Sequence, residues 1–129
     1  MCQLFINANQ ELWSSATRSL RIDGVSTSIR LESFFWNILE EISAREQLSV
    51  NQMITKLYSE YSDADLDVSN FTSFLRVCCS RYLSLIADGD LIRDDLLSLD
   101  YVDADSLISN EESNLNRRLI KLTSVCAIN

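Results

Sequence analysis

The stretch VSTSIRLESFFWNILEEISARE, residues 25–46 of a 129-residue chain, decides the fold because its hydrophobic period changes partway along. Up to Leu31 polar and apolar side chains alternate. Val25, Thr27, Ile29 and Leu31 share one face and Ser26, Ser28 and Arg30 the other, the pattern of a half-buried strand. From Ser33 the spacing becomes helical: Phe35, Ile38, Leu39 and Ile42 fall on one side of a helix expected over residues 33–46, with no Gly or Pro to interrupt it.

Upstream, Ser19, Leu20, Arg21 and Ile22 alternate as well, and Asp23-Gly24 between the two alternations is a turn signal, so one or two strands are expected. Earlier still, Asn7 or Asn9 can cap a short helix through Glu11, Leu12 and Trp13. Downstream, Ser49 and Gln52 stand three apart in the capping-box pattern that opens a second helix, whose inward stripe is Met53, Ile54, Leu57, Tyr58 and Tyr61. The polar stretch 62–69 reads as a loop. Asn70 or Ser69 would then cap a third helix with Phe71, Phe74, Leu75, Cys78, Tyr82 and Ile86 on one face, which makes Cys78 an expected core residue. Beyond Ala87, Leu and Ile recur among acids too often for a disordered tail. Helices over 90–99 and 105–122 are expected there.

Composition agrees with a mostly α protein, since there is no Pro, only two Gly, and 47% of residues are hydrophobic. The length suits one domain with appendages: an N-terminal segment 1–24, a core 25–62, a third helix 63–87 and an acidic extension 88–129. No apolar run reaches membrane length and no basic-then-apolar leader opens the chain, so the expected location is the cytoplasm. The four cysteines, Cys2, Cys78, Cys79 and Cys126, include no C-x-x-C pair, and there is no His, so no metal site is expected. The same gaps, with the absence of Gly-rich loops, argue against an enzyme or a bound cofactor. Asp94 and Asp95 are adjacent and would point apart on a helix, a poor catalytic pair. Phe34, Phe35, Trp36, Phe71 and Phe74 have the helical spacing of a core or dimer interface rather than of a platform for stacked bases.

The order strand, helix, short turn and Ser-capped helix is the ribbon-helix-helix plan, and TSIRLESFFWNILEEIS (27–43) resembles a particular bacterial family of that class. RSLRI (18–22) and NFTSFLRVCCSRY (70–82) resemble that family's flanking motifs, so the resemblance extends from Cys2 to about Leu83. It implies an obligate homodimer in which one strand from each chain forms an antiparallel ribbon above four shared helices. Physics points the same way, because one strand with two short helices cannot bury its apolar face alone. The extension from Asp88 departs from the family pattern.

The resemblance also implies double-stranded DNA as partner, with the ribbon in the major groove and Ser26, Ser28 and Arg30 at the base edges. Arg30 suits a bidentate contact to guanine. The second helix would offer a phosphate the hydroxyl of Ser49 and the backbone amides of Val50 and Asn51, while Arg18 and Arg21 could follow the phosphate backbone.

Charge complicates this expectation. The net charge of −8 has the wrong sign for a simple DNA binder, yet residues 1–87 hold seven basic and ten acidic side chains, 88–112 one basic and nine acidic, and 113–129 three basic and none acidic. The middle segment therefore carries the whole imbalance. It could form the solvated face of a helix, or compete with DNA for the basic ribbon. The alternative function is a dimeric protein–protein interaction module, antitoxin-like or adaptor-like, using residues 88–129 or the third helix.

Overall fold

Alternation over residues 15–32 produces two strands, β1 (Ser15–Ile22) and β2 (Val25–Glu32), paired antiparallel in a computed structural model that describes residues 1–93 and 97–128. Asp23 (φ 51°) and Gly24 (φ 78°) close the hairpin. Positive φ at both central residues gives the turn whose twist matches that of the flanking strands, and Asp-Gly is a preferred pair for it. The strand partner therefore lies in the same chain, a correction to the expectation of one strand from each of two chains. A two-residue turn brings β1 onto β2 with almost no loop to close, so the local pairing wins.

Ahead of the hairpin lie α1 (Cys2–Ile6) and a single helical turn, Gln10–Trp13, capped by Asn9 through its side-chain oxygen. Then α2 (Ser33–Arg45) follows β2 without a loop. Its first turn is tied to the start of the hairpin: the Ser33 amide donates to the Ser14 carbonyl (2.8 Å), and Trp36 Nε1 donates to the Ala16 carbonyl (2.9 Å). Trp36 is 2% exposed and sits among Leu20, Ile22, Ile29, Leu31, Ile38, Leu39, Met53, Ile54 and Leu75 as the largest of the core residues. Of the predicted α2 stripe, Ile38 and Leu39 are buried and Phe35 and Ile42 half-buried.

Gln47 (φ 57°) terminates α2, and the Leu48 amide returns to the Ser43 carbonyl (2.9 Å) while the Gln47 amide returns to that of Ala44 (3.1 Å). This reversal satisfies carbonyls the helix leaves over and aims the chain into α3 (Val50–Asp63). The capping box there is complete, since Ser49 Oγ accepts from the Gln52 amide (3.1 Å) and Gln52 Oε1 accepts from the Ser49 amide (2.9 Å). Tyr61 then packs against Phe71 and Phe74, with its hydroxyl donating to the Asp67 carbonyl (2.6 Å).

The third long helix, α4 (Phe71–Ala87), is preceded by a helical turn at Val68–Asn70 that Asp67 caps, in place of the expected Asn70 or Ser69. It buries Phe71, Leu75 and Cys79, so the core cysteine is Cys79 and Cys78 is half-buried. The rest of the predicted face stands, with Phe71, Leu75 and Tyr82 buried and Phe74 and Ile86 half-buried, and Cys79 Sγ lies 3.7 Å from the Phe35 carbonyl. Burial pushes the Cys79 thiol up to about 12. Arg76, on the neighbouring face, forms a two-pronged pair with Glu32 (2.9 and 3.1 Å).

That pair makes stability depend on pH. Arg76 holds the Glu32 carboxyl below its ordinary value of 4.5, so the folded state binds this proton less readily than the unfolded state. Its contribution is present above the unfolded pKa and disappears as pH falls through the folded one. Glu32→Gln should therefore lower stability near pH 7 by about 1 kcal/mol, in keeping with a partly exposed pair. The difference from wild type should shrink in urea titrations as pH falls below the unfolded carboxyl value and vanish once it is below the lowered folded one. An unchanged difference at acidic pH would show that the pair is not the cause.

The chain divides into two compact units, Met1–Ser80 and Arg81–Asn129. In the second, α5 (Ala104–Ile128) begins at Asp103, whose carboxylate accepts from the amide and hydroxyl of Ser106 (3.3 and 2.7 Å). Those bonds hold its carboxyl below the usual range. Arg81 grips Glu111 (2.7 Å), and Arg118 pairs with Asp88 (2.8 Å). The expected helix over 90–99 is not found among the described residues: Asp90–Arg93 are irregular, and Leu99 opens a single turn to Tyr101, capped by Ser98. Residues 94–96, and with them the pair Asp94 and Asp95, lie outside the described residues. The expected 105–122 helix is instead 25 residues long, since nothing in that stretch breaks it. No described helix is long and apolar enough to cross a membrane.

Candidate nucleic-acid interface

Strand register sorts the hairpin into two faces. Ile29 lies opposite Arg18, Leu31 opposite Ala16, and Thr27 opposite Leu20, and this side packs on α2 and α3. On the other side Arg30 lies opposite Thr17, Ser28 opposite Ser19, and Ser26 opposite Arg21. All six are exposed. The face is thus wholly polar, with two arginines on opposite strands set among hydroxyls. At its far end Glu32 is engaged by Arg76, so its carboxylate is not an open competitor for a bound anion.

The three residues predicted for base contact, Ser26, Ser28 and Arg30, therefore share one face with Arg21, which sequence reasoning had assigned to phosphates. Thr17 and Ser19 were missed. Their signal was present in the alternation around Leu20, but β1 begins at Ser15, four residues before the alternation that starts at Ser19.

Arg18 is placed differently. It stands three residues from Arg21, and an odd separation in a strand sends side chains to opposite faces. Its guanidinium lies 4.5 Å from the Trp36 ring centroid and 2.9 Å from Glu40 Oε1. There it borders an open depression together with Glu40, Ser43, Ala44, Leu48, Ser49, Val50 and Asn51. Four of the five residues predicted for phosphate contact, Arg18, Ser49, Val50 and Asn51, thus meet at one spot.

The chemistry of that spot follows from the helix end. The first amides of α3 have no acceptor one turn earlier; Ser49 takes that of Gln52, while those of Val50 and Asn51 are not used within the helix. Together with the positive end of the helix dipole and the nearby guanidinium, they form a setting suited to an anion. Glu40 now holds the guanidinium, so an arriving phosphate would exchange with a carboxylate rather than fill an open cationic pocket.

Comparison with known proteins agrees with this architecture. The family model described as ribbon-helix-helix domain matches residues 15–83, from the first residue of β1 into α4. A solved structure, an uncharacterized protein from Bordetella pertussis Tohama I, is similar at 48% identity, with a TM-score of 0.79 over 83% of this chain and 86% of that one. No curated protein matches. With more than half of its length matched by that model, the chain belongs to the ribbon-helix-helix domain family.

Proposed function

We propose that the protein is a homodimeric, double-stranded-DNA-binding regulator that reads the major groove with the outer face of its hairpin. The observation carrying this reading is the wholly polar, exposed face on which Arg30 and Arg21 flank Ser26, Ser28 and Ser19, on the hairpin of a chain that belongs to the ribbon-helix-helix domain family. Two strands lie about 4.8 Å apart, and a groove about 12 Å wide admits such a ribbon. Arg30, near the base of the hairpin, and Arg21, near its tip, would take guanine edges. The serines adapt to either donors or acceptors, and the Ser49–Asn51 helix end would set the docking angle on a phosphate, with Arg18 turning from Glu40 to join it. The hairpin leaves an open edge on each strand, and such edges are natural sites of pairing with a second chain.

The reading is tested by titrating the full chain into a fluorescent 30-base-pair duplex across a salt series. Binding should weaken linearly in log–log form, with a slope near −0.9 for each phosphate contacted. Binding that ignores salt, or none at low salt, would overturn it and leave the protein-interaction reading in its place. That second reading is favoured by one observation, the row of half-exposed apolar side chains on α5.

A further inference from the structure

We propose that Glu40 is an internal competitor for the DNA phosphate, an inference that rests on the DNA reading above and names the residue that limits its strength. By holding Arg18 in a neutral pair, Glu40 makes each chain meet the phosphate backbone with one cation fewer and bind every sequence more weakly. The Arg18 guanidinium lies over Trp36, 4.5 Å from the ring centroid, and Trp36 is buried and bonded to the Ala16 carbonyl. That ring is a fixed shelf with its own attraction for a cation. It keeps the guanidinium at the rim of the depression beside Ser49 and Asn51 whether or not a carboxylate holds it. What Glu40 controls is therefore the charge presented there, not the position of Arg18.

The geometry of the pair makes it a brake rather than a block. Glu40 Oε1 accepts one bond from Arg18 Nη1 (2.9 Å), whereas Arg76 grips Glu32 with two bonds and Arg81 grips Glu111 with three. The Arg18 and Glu40 side chains are 40% and 55% exposed, so water can take over either charge, and opening a pair of this kind costs about 1.4- to 5-fold in affinity. A phosphate offers a guanidinium two parallel bonds in exchange for that one. After the exchange Glu40 is left uncovered in the same depression, beside the bound phosphate. Its charge draws a cation back from solution and so cancels the one that Arg18 displaced. The pair thus adds nothing to the number of phosphates neutralised, while a lone Arg18 would add one.

The brake is tested by titrating full-length chains into two 30-base-pair duplexes of unrelated sequence across a salt series. Glu40→Gln should bind both duplexes about 1.4- to 5-fold more tightly for each chain bound, and a dimer should show the square of that factor. Its log–log salt slope should steepen by about 0.9 per chain, and the ratio between the two duplexes should not move, because phosphates carry no sequence information. Arg18→Ala/Glu40→Gln, which like the wild-type pair has no net charge at this spot, should return the slope to the wild-type value. The exposed Glu60 supplies the control. Glu60→Gln removes the same charge nine residues beyond Asn51 on α3, about 14 Å away at 1.5 Å per residue and past the screening length of about 8 Å at physiological salt, so its gain there should be smaller. Salt-dependent binding by wild type with no change for Glu40→Gln would overturn the brake and leave the DNA reading standing. An equal gain for Glu60→Gln, or a slope that stays steep in the double variant, would also overturn it, since Glu40 would then act through overall charge and not through Arg18. No binding by wild type or Glu40→Gln even at low salt would overturn both.

Discussion

Trp36→Ala should be the most damaging single substitution in the first unit, lowering stability by about 3–5 kcal/mol, the range for deleting a large aromatic from a packed core. Three contacts meet in this one side chain. It is 2% exposed, its Nε1 donates to the Ala16 carbonyl, and Arg18 lies over its ring. Truncation removes the volume, strands the Ala16 carbonyl and loosens the clamp between α2 and β1. Trp36→Phe separates these effects, because it keeps an aromatic ring but not the donor. It should cost about 1–3 kcal/mol, from the lost hydrogen bond and the incomplete fill. Urea denaturation followed by circular dichroism, at one fixed chain concentration because association feeds into apparent stability, checks both. A loss below 1 kcal/mol for Trp36→Ala would remove Trp36 from its place at the centre of the core.

The elements that could be read from sequence are those whose signals are local. The Ser49–Gln52 capping box, the Asp23-Gly24 turn and the change of period at Ser33 each declare themselves within a few residues, and each is found where expected. The features that escaped depend on what an element packs against. Alternation in β2 is the same whether its partner comes from this chain or another, so the intrachain hairpin was open until pairing was seen. Cys78 and Cys79 are adjacent and equally apolar, and only the seating of α4 against the Phe35 carbonyl selects Cys79. In the acidic segment, Leu91 and Leu99 suggested helix by spacing, but Gly89 (φ 83°) ends α4 and Ser98 draws its neighbours into a separate turn.

The site divides along the same line. Ser26, Ser28 and Arg30 follow from parity within one strand, and the Ser49–Asn51 end follows from its cap. What parity could not supply was the register that sets Arg21 and Ser19 beside them, or the Glu40 carboxylate that holds Arg18. A carboxylate twenty-two residues away in sequence leaves no mark near Arg18.

Arg30→Ala should abolish most of the discrimination between a duplex selected from a random library and a scrambled one, a loss of about 1–3 kcal/mol, or roughly 5- to 150-fold. Binding to the scrambled duplex should change far less, because phosphate contacts carry no sequence information. Arg21→Ala should act at a different base pair of the same site, since Arg21 lies opposite Ser26 near the turn while Arg30 lies opposite Thr17 near the base of the hairpin. Ser49→Ala supplies the contrast. It removes the hydroxyl that caps α3, lowering stability by about 1 kcal/mol, and should weaken selected and scrambled duplexes alike. Competition binding at a single salt concentration reads all three variants. Equal losses on both duplexes for Arg30→Ala would reduce the hairpin face to a phosphate contact. Reading would then have to come from elsewhere, because a charge that cannot tell one duplex from another steers a protein to DNA without choosing a site.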